Sequence, residues 1–153
     1  MINQDNLKEI KKIVQEFFKK TGFEIEVESF NLENNTILIK IKVEEPKILI
    51  GQNGQTLVEI QHLLKAIVSR KISERFYIDL DINNYKEKKI EYLKETAKEI
   101  ADEVSLTKKE KILAPMPAYE RRIIHLELAG RKDVVTESIG QEPERRIIIK
   151  PCL

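Results

Sequence analysis

The chain has 153 residues, of which 41% are hydrophobic and 35% charged, a composition typical of one ordinary globular domain or two small ones. Because the formal net charge is only +1, a nucleic-acid binder with this sequence must use a local basic patch. No apolar run approaches the roughly 18 residues of a membrane span, and the first residues lack the basic region followed by an apolar one that is typical of a signal peptide, so we expect a cytoplasmic protein without membrane insertion. The single cysteine, Cys152, excludes an internal disulfide and a cysteine metal cage, and we expect no metal or other cofactor.

The first half of the chain predicts a mixed helix and strand unit. Apolar residues at spacings of three and four predict an opening amphipathic helix, capped by Asp5 or Asn6 and ended by Gly22. Alternating segments on either side of Asn34-Asn35 predict two antiparallel strands with glutamates and lysines on their exposed face. The remaining predicted elements are a short helix, a glycine loop, a helix over 55–70 and a strand over 76–82.

The second half predicts a separate unit, and we place the domain boundary between residues 83 and 84. Apolar residues at heptad-like spacing predict a long helix over 85–104, with Ile90 at the start of its buried seam. The elements predicted after it are an apolar run at 111–114, a helix over 118–129 and a hairpin around residues 140–143. A small mixed sheet packed by helices is the expected product.

Two glycines three residues apart interrupt an apolar run just before the helix over 55–70. Without Cβ atoms, Gly51 and Gly54 let a sugar-phosphate strand approach the main chain, while amides of the following helix face its anionic oxygens. Glycine at this spacing is also common in ordinary turns, so the apolar approach and the neighbouring helices carry the argument. The candidate nucleic-acid contacts here are Ile50, Gly51, Gln52, Asn53 and Gly54 in the loop, and Lys47, Lys65, Arg70 and Lys71 around it.

A second candidate site lies on the helix predicted over 118–129. Arg121 and His125 are four residues apart, so they lie one turn apart on one face and can hold a phosphate or base between them. The same spacing also occurs in solvated pairs on ordinary charged helices. Arg122, about 100° away on the helix, and Arg145, on the final strand, are further candidates. Arg145 either extends this patch or pairs with a glutamate of the hairpin.

The two motifs, in this order, carry a family resemblance. Residues 1–83 resemble a type II KH domain, with Ile50-Gly51-Gln52-Asn53-Gly54 as its signature loop. Residues 84–153 resemble an R-3-H domain, with Arg121 and His125 as its motif. The tandem is similar to the Jag family, also called SpoIIIJ-associated proteins. The resemblance implies an α+β fold, in which a KH domain with a three-stranded sheet is followed by a small α/β R-3-H domain.

The same resemblance implies a regulatory protein that binds single-stranded RNA, with single-stranded DNA as the alternative ligand. It also implies a small single-domain KH protein as partner and an influence on cell-envelope growth and division. Loops of the family usually carry basic residues between the glycines, whereas this chain has Gln52 and Asn53. The additional N-terminal Jag domain of many members is expected to be absent from this chain.

Two other functions compete with RNA binding at this stage. The neutral loop and the balanced charge favour a protein-interaction adaptor in which RNA binding is secondary. An enzyme is the weaker alternative, since His62 and His125 lie near no sequence-adjacent nucleophile and show no metal-ligand spacing. Asp79 and Asp81 alternate outward on a strand, and paired carboxylates alone do not make an active site. We therefore expect a protein that is not an enzyme.

Overall fold

A computed structural model describes residues 1–152. The chain divides into two compact units, Met1–Lys86 and a second unit that begins at Glu87. The predicted boundary falls shortly before this division, because Tyr85 packs against the core of the first unit. Within the described residues, no helix has both the length and the apolarity that crossing a bilayer requires.

The first unit contains three strands and three α-helices. Its elements are α1 (Gln4–Thr21), β1 (Glu26–Glu33), β2 (Thr36–Lys42), α2 (Pro46–Ile50), a 3-10 turn (Gln52–Gly54), α3 (Gln55–Ser69) and β3 (Tyr77–Ile82). The sheet order is β1-β2-β3, with β2 antiparallel to β1 and parallel to β3. Because parallel neighbours need a crossover connection, α2, the turn and α3 run between β2 and β3 across the sheet.

The core of the first unit follows from the alternation along β2 and β3. Every second residue points to the helices and is buried, while residues such as Lys40 and Lys42 face outward and are exposed. The buried strand residues are Ile37, Ile39, Ile41, Ile78, Leu80 and Ile82, and they pack with Ile10, Val14 and Phe18 of α1 and Leu57, Leu64 and Val68 of α3. This inward pattern was predicted for β3.

The predicted cap of α1, Asp5 or Asn6, is wrong by two or three residues. Asn3 is the cap: its side chain accepts a hydrogen bond from the Asn6 backbone N–H at 2.8 Å. Asn6 reciprocates from the third helical position, where its side chain accepts from the Asn3 N–H at 3.1 Å. The reciprocal pair explains why Asn6 looked like a cap from the sequence alone. Gly22 ends the helix in the left-handed conformation, as predicted.

The second unit packs two helices on a three-stranded antiparallel sheet. Its elements are the greater part of α4 (Tyr85–Thr107), β4 (Lys111–Ile112), α5 (Ala118–Leu128), β5 (Val134–Ile139) and β6 (Arg146–Pro151), with strand order β4-β6-β5. The buried face of α4 runs from Leu93 to Val104. Ile90, predicted in this seam, is 39% exposed, because the core of this unit begins one turn later.

Candidate nucleic-acid interface

The glycine loop needs both of its glycines for conformation and for space. Gly51 and Gly54 have φ angles of +72° and +77°, in the region that residues with a Cβ rarely adopt. A Cβ on Gly51 would lie 2.1 Å from the Thr56 Oγ1, and one on Gly54 would lie 2.9 Å from the Tyr85 Cε1. The space beside each glycine is therefore filled by the protein's own side chains, and the loop is shaped by packing from within.

The tip of the loop is open to solvent at the start of α3. Gln52 and Asn53 are exposed, and Asn53 has a φ of 54°, which asparagine tolerates better than most residues. Gly54 precedes α3 without any side-chain cap. The first amides of a helix have no intrahelical acceptor and carry the positive end of its dipole. The Gly54 and Gln55 N–H groups already donate to the Gly51 and Gln52 carbonyl oxygens. An anion that approaches the loop tip would therefore meet the positive end of the α3 dipole, and no charged side chain from positions 52 and 53.

The apolar approach to the loop splits between core and surface. Ile50, a predicted contact, is only 9% exposed and belongs to the core of the first unit. Ile48, two residues earlier on α2, is 61% exposed. The structure thus places Ile48 at the surface beside the loop, where sequence reasoning had named Ile50. A five-residue helix turns neighbouring residues to different sides, so an unbroken apolar run does not reveal which of them is open.

Only one of the four basic candidates of this unit is next to the loop in the chain. Lys47 is exposed on α2, and its carbonyl accepts a hydrogen bond from the Gly51 N–H at 2.9 Å. Lys65 is half-buried, with its Nζ 4.7 Å from the centroid of the Tyr77 ring. Arg70 is exposed, but it follows the last residue of α3, and 15 helical residues span about 22 Å. Arg70 and the adjacent Lys71 therefore lie at the end of α3 away from the loop.

Arg121 in the second unit is a buried arginine rather than a solvated one. The residue is 7% exposed, and both ends of its guanidinium are occupied. Nη1 donates to the Met116 carbonyl oxygen at 2.7 Å, and Nη2 donates to the Glu142 Oε1 at 2.6 Å. The pair joins α5 to the turn before β6. The sequence had suggested an exposed Arg121, and burial of a guanidinium is tolerated here because both Nη1 and Nη2 have acceptors.

His125 lies near Arg121 and is half-buried. Its Nδ1 is 2.6 Å from the Thr136 Oγ1 on β5. Burial lowers the pKa of His125 below its ordinary value of 6.5, and the nearby Arg121 charge lowers it further. The imidazole is therefore neutral at pH 7, with Nδ1 engaged by Thr136. The nitrogen left for a ligand is Nε2.

The structure shows which arginines pair with the glutamates of the hairpin, a question that the sequence left open. Within residues 1–152, Arg145 pairs with no glutamate, and its Nε donates to the Ser138 Oγ at 2.8 Å. Arg146 pairs with Glu144 at 3.4 Å. Glu142 is taken by Arg121, which is not the pairing that adjacency in the sequence suggested. Arg122 is exposed on α5, on a different face from Arg121.

A second buried charge went unnoticed in the sequence. Glu120 is 4% exposed, accepts a hydrogen bond from the Tyr119 hydroxyl at 3.2 Å and lies 4.0 Å from the Lys89 Nζ. Nothing in the local sequence marks it, because its cation comes from α4, about 30 residues away. Among residues 1–152, no cluster of three or more His, Cys, Asp or Glu side chains is arranged to hold a metal ion.

Comparison with known proteins identifies the second unit. Residues 91–151 match the R-3-H domain. The chain is 42% identical over 120 residues to the RNA-binding protein KhpB of Clostridium symbiosum, across 78% of this chain and 54% of that protein. The protein of the same name from Bacillus subtilis is 35% identical over 116 residues, across 74% and 56% of the two chains. That of Lactiplantibacillus plantarum is 35% identical over 102 residues, across 67% and 32%.

These matches extend over most of the chain, well beyond its R-3-H domain, whereas the chain spans only about half or less of the relatives' length. The relatives share one name, and the Arg121 and His125 motif lies inside the matched R-3-H domain. Residues 91–151 match an R-3-H domain, and most of the chain is homologous to the KhpB proteins of the Jag family.

Proposed function

We propose that this protein binds single-stranded RNA, without catalysis, through one contact site in each unit. The observation that carries the proposal is the Arg121 and His125 pair of the R-3-H domain, a guanidinium held in place beside a neutral imidazole. A fixed planar guanidinium suits a phosphate, and a neutral imidazole donates a hydrogen bond or stacks on a base. The name that the relatives carry, RNA-binding protein, supports the same reading.

The first unit supports the proposal as a type II KH domain. A parallel β2–β3 pair is crossed by two helices, with the Gly51 to Gly54 loop between them. The loop tip and the uncapped start of α3 offer backbone donors to about four nucleotides, as KH domains do in general. The contacts proposed for this unit are the loop residues with Lys47 and Ile48. Arg70, at the far end of α3, is not proposed to contact the nucleotides at the loop.

We include two wider roles of the family in the same proposal. They comprise regulation of cell-envelope growth and division, and action beside a small single-domain KH protein. The adaptor function is the second candidate, and the observation that favours it is the absence of charge at Gln52 and Asn53. A protein partner that copurifies after nuclease treatment, together with RNA affinity too weak to measure, would favour the adaptor.

The direct test measures binding of a fluorescently labelled oligouridylate to the full chain by fluorescence anisotropy. Replacing Gln52 and Asn53 with aspartates should weaken binding about tenfold or more, because two carboxylates would face the phosphates at the loop tip. The matched control places the same two charges on α1, as Gln4→Asp with Gln15→Asp, and should change affinity by less than about twofold. Equal affinities for the loop variant and the control would refute the loop as a contact site.

A further inference from the structure

The contact between Arg121 and Glu142 joins two very differently placed side chains. The Arg121 side chain is 9% exposed, whereas that of Glu142 is 60% exposed. Nη1 of Arg121 donates to the Met116 carbonyl oxygen, and the Met116 N–H in turn donates to the Arg145 carbonyl oxygen at 3.2 Å. Nη2 faces the Glu142 carboxylate, which makes no other hydrogen bond or ion pair among the described residues. One end of the guanidinium is thus anchored, and the other end holds a partner from the surface.

Carboxylate and phosphate oxygens present the same demand to a guanidinium. Both are anionic acceptors, and both take charge-assisted hydrogen bonds from the planar fork of an arginine. A strand whose phosphate reached Nη2 would find the fork already oriented, because the Met116 carbonyl fixes it. The leaving carboxylate would return to water from a site where most of its surface is already solvated. Exchange at this position therefore exposes no buried charge.

We propose that the Glu142 carboxylate stands where a backbone phosphate of the bound strand is received, and that RNA replaces it on Arg121. Binding to the R-3-H domain is then an exchange of anions rather than an addition. The inference rests on the proposed function, since it assigns the ligand position within the same site. It also makes Glu142 a specificity-determining residue, because a neutral ligand cannot replace a carboxylate on a buried guanidinium.

The turn itself offers a matched control for this inference. Glu144 lies two residues away and carries the same charge, but its partner is Arg146, the first residue of β6. Substituting either glutamate by glutamine removes one negative charge from the same turn. Only the Glu142 substitution removes the competitor from Arg121, so the difference between the two variants isolates the exchange from the general change in charge.

The experiment compares Glu142→Gln and Glu144→Gln with the unaltered chain, using the labelled oligouridylate and anisotropy at one salt concentration. Glu142→Gln should bind about three- to tenfold more tightly, as expected when one charged competitor is lost, and Glu144→Gln less than about twofold. In an Arg121→Gln background, the gain from Glu142→Gln should vanish, because the competed donor is gone. A merely structural role for Glu142 would not produce that dependence on Arg121.

Each other outcome contradicts the exchange. Equal effects of Glu142→Gln and Glu144→Gln would reduce the contact to general electrostatics. A gain that persists without Arg121 would place the competition elsewhere. If Glu142→Gln unfolds at a markedly lower temperature, the carboxylate is needed to hold the hairpin and is not free to leave. If neither the unaltered chain nor Glu142→Gln binds the oligouridylate, the proposed function fails, whereas binding with no gain overturns the exchange alone.

Discussion

The two candidate sites differ in what stands open to a ligand. In the first unit, the loop tip is exposed, has no charged side chain and precedes the uncapped start of α3, and its shape depends on packing around Gly51 and Gly54. In the second unit, the R-3-H site offers a full positive charge that is already paired, with Arg121 bonded to Met116 and Glu142. A ligand adds to the first site but must displace a group from the second. Substitutions at the loop glycines should therefore mainly lower stability, whereas substitution of Arg121 should mainly lower RNA affinity.

The largest expected effect is a loss of stability at the loop. Gly51→Ala should destabilise the first unit by about 2–4 kcal/mol, because a positive φ and an overlap with Thr56 add together. Thermal or urea unfolding measures this. Gly22→Ala isolates the backbone conformation, since its φ is +84° with nothing within 4 Å, and should cost about 1 kcal/mol. Gly130→Ala has neither feature and should be nearly neutral. Equal losses for the three variants would contradict a loop shaped by packing.

A smaller loss of stability, but a larger loss of affinity, is expected at the R-3-H site. Arg121→Gln should cost about 1–3 kcal/mol, mainly because the Met116 carbonyl loses its donor. RNA affinity should fall about tenfold, because a phosphate loses its charged partner. Arg146→Gln breaks the exposed pair with Glu144 and should cost no more than about 0.5 kcal/mol. The comparison breaks down if Arg121→Gln leaves RNA affinity unchanged while the protein stays folded.

Salt dependence separates the charged site from the neutral one. On single strands the slope of log affinity against log salt is roughly −0.7 for each phosphate that is neutralised. Gln52→Lys with Asn53→Lys should make the slope steeper by up to about 1.4, because two cations are added at the loop tip. Arg121→Gln should make it shallower by about 0.7. Anisotropy titrations at several salt concentrations measure both changes, and identical slopes for all three proteins would show that neither site contacts phosphate.

The smallest expected effect is a pH dependence that belongs to the second site. Burial and Arg121 hold the pKa of His125 below 6.5 in the free protein, so it is neutral at pH 7. A phosphate docked beside it favours the imidazolium and raises that pKa, so binding takes up a proton and affinity increases as the pH falls from neutral. The gain should be at most about tenfold for each unit of pKa change. Titrations at different pH values measure it.

The chain's other histidine supplies the control for this pH dependence. His62→Gln, an exposed position on α3, should keep the dependence, whereas His125→Gln should lose it. The free energy of unfolding also depends on pH through His125. The unfolded chain binds a proton at this residue below pH 6.5, whereas the folded protein binds it only at a lower pH. Stability from this residue is therefore lost as the pH falls below 6.5. A pH dependence that survives His125→Gln would assign the effect to another group.

Local chemistry made most of the fold predictable from the sequence. Alternation along 76–82 identified the buried residues of β3, and Gly22 and Asn34-Asn35 marked a helix end and a turn with positive φ. Predictions were wrong where a second local signal obscured the helix cap, or where burial depended on residues distant in the sequence. Asn6 resembled a cap but supports the cap at Asn3, and Ile90 has the right spacing but lies before the buried core, which begins at Leu93.

The sequence by itself determined the elements, the two motifs and the spacing of Arg121 and His125, because these depend on helical and strand periodicity within a few residues. Only the tertiary structure decided that Arg121 is buried, that Glu142 and not Glu144 holds it, and that Gly51 makes room for Thr56. Which acceptor an arginine meets depends on how α5 and the hairpin pack, and residues 21 positions apart in sequence carry no mark of that contact.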